Sequence, residues 1–156
     1  MKKLTRAVTV LLALLLLAAC GSGSESKQLD LDAFARQVID SVEYDDDMIQ
    51  LNEQIASEYY NLSFDGLESW IAYGSGTAAT TNVLMVMKLK DSAAVEEAKK
   101  TVQQRIEDQT ANYEGYRPDE LFRLENSIVL VEGDYLLFSI SPDNDTVRKL
   151  FEDALK

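Results

Sequence analysis

The first 20 residues decide which part of this chain can form a fold. Three basic residues precede residues 8–19, a run that is apolar except for Thr9. A transmembrane helix needs about 20 apolar residues, so this run is too short to span a bilayer comfortably. A short apolar segment between a basic start and small residues is typical of a secretory signal peptide. We therefore predict that residues 1–19 are removed and that the folded domain lies beyond them.

The small residues that end this run lead directly into Cys20, the only cysteine of the chain. Leu-Ala-Ala-Cys at residues 17–20 resembles the lipobox of bacterial lipoproteins. The resemblance implies cleavage between Ala19 and Cys20 and a diacylglyceryl group on the Cys20 sulfur. The domain would then be anchored at the extracytoplasmic face of the cell membrane, because two acyl chains bind stably where one binds marginally. The alternative is a buried cysteine in a signal anchor.

Residues 20–28 comprise the lipidated cysteine and a Gly- and Ser-rich segment without apolar side chains. This composition predicts a flexible linker. Because Cys20 is the only cysteine, no intrachain disulfide can form, and the lipid would consume its thiol. The remaining residues, 29–156, must therefore be stabilised by their hydrophobic core alone.

The charge of the chain excludes one class of partner. The full sequence has 15 basic and 27 acidic residues and a net charge of -12. Removing the three basic residues of the signal leaves 12 basic and 27 acidic residues, a net charge of -15. Nucleic-acid binding needs a basic patch, so it is not expected. Anionic lipid also repels such a domain, so the expected contact with the membrane is the acyl anchor.

Amphipathic helices are indicated by apolar residues at three- and four-residue spacing in four segments. These segments are residues 31–42, residues 48–59, residues 92–113 and the residues after Pro142-Asp143. Asp30 or Asp32 is a suitable N-cap for the first helix, and Asp91 for the longest.

The acidic run at residues 45–47 has two interpretations. Asp47 is followed three residues later by Gln50, which fits a capping box at the start of the second helix. The alternative is a Ca²⁺ site, here or at Asp143 and Asp145. Neither cluster has the spaced aspartates and terminal glutamate of an EF-hand loop. Helix capping is therefore the favoured interpretation.

Strands are predicted at residues 69–73, 83–89, 128–131 and 135–138, in that order along the chain. Gly133-Asp134 between the last two is typical of a two-residue hairpin loop. The predicted order is α-α-β-β-α-β-β-α. We expect a single α+β domain with an antiparallel sheet of about four strands and helices packed on one face.

Residues scattered along the chain from Leu89 onward resemble the sequence pattern of a known family. They are Lys90, Asp91, Arg105, Gln109, Tyr113, Tyr116, Pro118, Glu120, Asn126, Gly133 and Tyr135. Together with the lipobox and short linker, they resemble a domain family found in small bacterial lipoproteins and named only as domain of unknown function 4358. The resemblance implies a fold and a location, and no activity. Family members tend to carry acidic residues before the central strand, where this chain has residues 78–82, Ala-Ala-Thr-Thr-Asn.

The residue types needed for common catalytic sites are missing from the sequence. It contains no histidine, which excludes His-based triads and His metal sites. Gly74-Ser75-Gly76 is not the Gly-x-Ser-x-Gly motif, and no phosphate-binding loop is present. No pattern places Glu120 and Asp134 in one cleft for paired-carboxylate chemistry. We therefore expect no catalytic residue, no metal ligand and no cofactor.

Arg105, Tyr113 and Tyr116 are the candidate ligand-binding residues. Arg105 lies at the edge of the apolar stripe of the long helix, where it is placed to bind a carboxylate or phosphate. The alternative is a structural ion pair, with the aliphatic stem covering apolar surface. Trp70, Tyr73 and Tyr116 are candidates for a pocket, although aromatic residues in a small domain usually belong to the core.

These expectations together describe a surface lipoprotein whose domain binds or scaffolds a partner without catalysis. Envelope proteins are the favoured partner. Capture of a small ligand or of a cation such as Ca²⁺ is the alternative, and an enzyme is the least favoured class.

Overall fold

The computed structural model describes residues 28–156. The predicted signal peptide, Cys20 and the linker up to residue 27 lie outside the described residues. The described part forms one α+β domain, as predicted. Its elements in chain order are α1 (Leu31–Ser41), β1 (Met48–Gln50), α2 (Glu53–Tyr60), β2 (Leu67–Ser75), β3 (Val83–Leu89), α3 (Ser92–Tyr113), α4 (Pro118–Glu125), β4 (Ile128–Glu132), β5 (Tyr135–Ile140) and α5 (Asn144–Ala154).

The strands form one sheet in the order β1-β2-β3-β5-β4, and every neighbouring pair is antiparallel. The predicted hairpin between β4 and β5 is confirmed. Its two-residue loop begins at Gly133, whose φ of 58° lies in the left-handed region that glycine adopts without strain. The antiparallel sheet was thus predicted correctly, with one strand more than expected.

Both faces of the sheet are covered, which corrects the prediction that helices pack on one face. β3 lies at the centre, and its side chains alternate between two cores. Val83, Met85 and Met87 face the core under α2, α3 and α4. Leu84 and Val86 face a second core under α1 and α5. The unbroken apolar run of β3 is the pattern of a strand buried on both faces.

Two helices begin at a predicted N-cap, Asp30 and Asp91, and Asp143 caps a third. The side chains of Asp30, Asp91 and Asp143 each accept a hydrogen bond from the backbone N–H three residues later. The bounds of α3 are those predicted from the sequence. At the start of the domain, the Leu29 N–H donates to the Tyr135 hydroxyl at 3.0 Å, on the α1 side of the sheet.

The helix predicted to follow Asp47 is wrong. Met48–Gln50 is a short edge strand that pairs with the end of β2, with Met48 opposite Ser75. The helix α2 begins only at Glu53, where Asn52 is the N-cap and accepts from the Ile55 N–H at 2.9 Å. Pairing with the exposed edge of β2 satisfies backbone groups, and this outweighs the helical spacing of the side chains.

The helix α4 was not predicted, because a proline shortly after a helical segment usually marks the end of that segment. Proline is also favoured in the first turn of a helix, where its missing N–H has no partner to lose. Pro118 occupies that position in α4, and Leu124 of the same helix is buried in the core. Among residues 28–156, no helix is both long enough and apolar enough to cross a membrane.

Candidate ligand-binding cavity

A cavity of about 390 Å³ opens where β1 and the end of β2 meet α2, α3 and the loop of residues 76–82. Its apolar and aromatic lining consists of Ile49, Leu51, Ile55, Tyr59, Tyr60, Gly74, Ala78 and Tyr113. Its polar lining consists of Ser75, Thr80, Thr81, Asn82, Arg105 and Gln109. Arg105 is the only charged residue among them.

Arg105 is a half-buried cation in the wall of this cavity. Its guanidinium carbon lies 5.4 Å from the centroid of the Tyr60 ring, a cation–π distance. Its Nε atom is buried and has no hydrogen-bond partner in the part of the chain that the structure describes. Within residues 28–156, no carboxylate lies within 4.0 Å of its nitrogen atoms. The ion pair considered as the alternative from the sequence is therefore not formed in this part of the chain.

Tyr60 joins the cavity to the core. Burial raises the pKa of the Tyr60 phenol, and the nearby charge of Arg105 partly opposes that rise. The phenol therefore stays neutral at physiological pH. A Cβ atom at Gly74 would lie 3.5 Å from the Tyr60 hydroxyl and 3.3 Å from the Leu51 side chain, so glycine leaves the floor of the cavity open.

Asp46 holds the loop that forms one side of the cavity. Its carboxylate accepts hydrogen bonds from the hydroxyls of Ser75, Thr77 at 2.8 Å and Thr80 at 3.2 Å. Burial alone would raise the pKa of Asp46, but these hydroxyl donors outweigh it and lower the pKa overall. The acidic run at residues 45–47 thus supports a loop rather than a helix N-terminus, which corrects the capping interpretation.

The backbone of this loop is tightly constrained. The Gly76 N–H donates to the Asp47 carbonyl at 2.8 Å. A Cβ atom at Gly76 would lie only 2.9 Å from the same oxygen, so no other residue fits without backbone movement. Ala78 has a φ of 55°, a left-handed conformation that costs a non-glycine residue about 1–2 kcal/mol.

A buried carboxylate ties the loop to α4. Glu120 is only 3% exposed. It accepts from the Thr81 N–H at 2.6 Å and from the Thr81 hydroxyl at 2.8 Å. Arg117 and Arg123 lie 3.7 Å and 3.6 Å from its other oxygen.

Arg123 extends this network to the loop before β1. It forms an ion pair with Asp45 at 2.5 Å and donates to the Asn82 Oδ1 atom at 3.0 Å. The hydrogen bond from Arg123 lowers the pKa of the Asp45 carboxyl. Both segments that flank the cavity are therefore bound to α4.

The structure brings together two of the three predicted ligand-binding residues. Arg105 and Tyr113 line the same cavity. Tyr116 is 76% exposed and is not part of the lining. Trp70 packs on Phe64 at a ring distance of 5.2 Å, against the core, as the core interpretation predicts.

Other residues at the site were missed because their partners are far apart in sequence. From the sequence, Glu120 was named as a residue of the family pattern and weighed as a catalytic carboxylate, but its contact with Thr81 depends on the unpredicted helix α4. Asp46 lies 29 residues from Ser75 and 34 from Thr80. The sequence carried one signal: residues 75–81 are rich in hydroxyl side chains, and residues 45–47 are an acidic run that could accept from them.

The second acidic cluster considered for Ca²⁺ also has a structural role. Asp143 accepts from the Thr146 N–H at 3.0 Å and from its hydroxyl at 2.6 Å, which caps α5. Within residues 28–156, no group of three or more His, Cys, Asp or Glu residues is arranged to hold a metal ion. A larger, polar cleft of about 690 Å³ lies between α4 and the start of α5.

Fold and cavity define a small α+β domain with an open antiparallel sheet and a single charged residue in its aromatic cavity. A family model described as "Domain of unknown function (DUF4358)" matches residues 40–141. The chain belongs to this family. No curated protein and no solved structure matches the chain significantly. Every residue that lines the cavity lies within the matched range.

Proposed function

We propose that this chain is a lipid-anchored extracytoplasmic protein whose domain binds a small ligand without chemical conversion. The sequence-based preference for a protein partner gives way to the alternative, ligand capture. The observation that carries the proposal is the aromatic cavity around Arg105. Ligand sites are typically concave, largely apolar and about 300–1,000 Å³ in volume, with a few polar groups that fix orientation. The cavity fits this description in size and lining.

The fixed walls of the cavity support a binding role. α4 secures the 76–82 loop through Glu120, and Asp46 secures it from the side of β1. Rigid walls reduce the conformational entropy lost when a ligand binds. The site is thus largely formed before a ligand arrives.

Binding is tested by thermal unfolding of the full-length chain in detergent, with a panel of small metabolites. A ligand at 100 times its Kd adds about 2.7 kcal/mol of stability, because it binds only the folded state. That corresponds to a rise in Tm of about 5 °C or more for a domain of this size. Tyr113→Ser should abolish the rise. Tyr116→Ser is the matched control, since Tyr116 lies outside the cavity lining, and should preserve the rise.

Two results contradict the binding role. One is that no compound of the panel raises the Tm of the unaltered chain or of either variant. The other is a shift that survives in Tyr113→Ser and disappears in Tyr116→Ser, which would place the ligand elsewhere.

The anchor is supported by the lipobox-like residues 17–20 and by the net charge of -15 beyond them, which leaves no electrostatic attraction to anionic membranes. Cys20→Ala should prevent incorporation of labelled fatty acid and leave an uncleaved precursor or a released protein. The matched control is Ser22→Ala in the linker, which should label normally. Fatty-acid labelling that persists in Cys20→Ala contradicts the anchor.

A further inference from the structure

We propose that the ligand of this cavity is a small organic monocarboxylate, with its carboxylate at Arg105 and its apolar body against the aliphatic and aromatic wall. This inference rests on the proposed function and names the ligand class for the same site. It depends on charge, on volume and on the conformation of the loop.

Charge is the first argument. The domain is strongly acidic, yet among residues 28–156 no Asp or Glu lines the cavity, and the one charged residue of this lining is a cation. Burying part of a charge without a counter-charge is unfavourable. A ligand carboxylate would supply the acceptor that the described residues do not. The planar guanidinium matches a carboxylate in a two-bonded arrangement, which is the strongest form of this contact.

The single positive charge in the lining of the cavity favours a ligand with a single negative charge. Of the residues that the structure describes, no second Lys or Arg faces Arg105 across the cavity. A phosphate dianion or a dicarboxylate would bring a charge that the lining does not compensate. The net charge of the protein also disfavours highly charged anions.

Volume and lining describe the rest of the ligand. At about 30 Å³ per water molecule, the cavity holds the equivalent of about 13 waters. Leu51, Ile55 and Tyr113 offer it apolar and aromatic surface. Tyr59 at the rim is 61% exposed, so it is available to cover a bound ligand. A body of several carbon atoms therefore fits, and a bare inorganic anion leaves most of the cavity empty.

The loop gives an independent indication of a binding site. Ala78 lines the cavity in a left-handed conformation, and the carboxylate of Asp46 fixes the loop on either side of it. Non-glycine residues in this conformation concentrate at ligand sites, where the surrounding structure holds them.

The test compares each acid with its uncharged, nearly isosteric amide. Phenylacetate and phenylacetamide form one pair, and hexanoate and hexanamide form the other. Calorimetry and thermal unfolding of the full-length chain in detergent at neutral pH should show acids binding at least about tenfold more tightly than their amides. Arg105→Gln, which keeps much of the stem, should remove this preference. Arg105→Lys should retain only part of it, because lysine lacks the planar fork.

Arg36→Gln is the matched control for loss of one positive charge. Arg36 is on α1, over the opposite face of the sheet, and its side chain is 70% exposed. Its acid preference should equal that of the unaltered chain. If Arg105→Gln does not fold, the comparison of acid and amide on the unaltered chain still decides the outcome.

Four results overturn the carboxylate inference. They are amides that bind as tightly as acids, an acid preference that survives in Arg105→Gln, inorganic phosphate that displaces the acids at equal concentration, and no binding of any member of either pair. Binding of amides alone would leave the proposed function intact. The proposed function fails only if the wider panel also produces no shift that depends on Tyr113.

Discussion

At the scale of single residues, the decisive feature is a buried carboxylate whose partners come from two separate segments. Glu120 receives two hydrogen bonds from Thr81 and lies between two arginines. A buried charge of this kind is tolerated only when its acceptor capacity is used.

Removing this carboxylate should therefore destabilise the domain. Glu120→Ala leaves the Thr81 N–H and hydroxyl without an acceptor, and we expect the free energy of unfolding to fall by about 3 kcal/mol. Glu120→Gln keeps a carbonyl oxygen for Thr81 and should cost about half as much. Urea denaturation monitored by Trp70 fluorescence measures both.

The control on the same helix is Glu125→Ala. Glu125 is exposed, so its loss should change the free energy of unfolding by less than about 0.5 kcal/mol. Equal destabilisation by Glu120→Ala and Glu125→Ala would show that the network around Thr81 contributes nothing.

At the scale of elements, the structure shows which helices and strands follow from local sequence and which depend on distant parts of the chain. The helix α3 and the β4–β5 hairpin are determined by contacts close in sequence, and both were predicted with their caps and turn. The edge strand β1 has three residues, too few for an alternating pattern, and forms only because the β2 edge is available. Pro118 fits both the end and the start of a helix, so local chemistry alone left α4 undecided.

The candidate site likewise contains residues that the sequence predicted and contacts that it did not. Arg105 and Tyr113 were each named as candidates from the sequence, and the structure places both in the lining of the cavity. The partners of Asp46 could not be foreseen, because they depend on how β1 and the 76–82 loop meet in three dimensions.

The junction between β1 and this loop should be sensitive to one methyl group. In Gly76→Ala, the new Cβ meets the backbone oxygen of Asp47, which cannot move without breaking the β1–β2 pairing. We expect a loss of about 1–3 kcal/mol in stability and faster hydrogen exchange at the Ser75 amide, which donates to the Asn82 carbonyl.

Gly74→Ala is the comparison, because its nearest neighbour is the flexible Leu51 side chain at 3.3 Å. It should cost less, and the Ser75 amide should remain protected. The close approach to Asp47 is contradicted if Gly76→Ala is as stable as Gly74→Ala.

At the scale of the whole molecule, stability in acid depends on carboxylates that are hydrogen-bonded in the folded state. The pKa values of Asp45 and Asp46 are lowered in the fold, the first by Arg123 and the second by hydroxyl donors that outweigh burial. Groups with lowered pKa values stabilise the fold above their unfolded pKa of about 3.9. This contribution is lost as the pH falls below that value and through the lower folded pKa.

Asp46→Asn isolates this effect. The variant should have a lower Tm than the unaltered chain at pH 7, and the difference should shrink as the pH falls below about 4. Thermal unfolding between neutral and acidic pH measures it. The two chains differ by a single charge, so comparing them cancels most of the effect of net charge. A Tm difference that stays constant with pH would contradict the ionised role of Asp46.

The two-sided sheet has a consequence for orientation. The chain enters the domain at Leu29, which is fixed to Tyr135 on the side of α1 and α5. The cavity opens on the other side, among residues that pack with α2 and α3. With the anchor proposed at Cys20, the linker would join the domain on the face opposite the cavity, so the attachment point would leave the mouth of the cavity unobstructed.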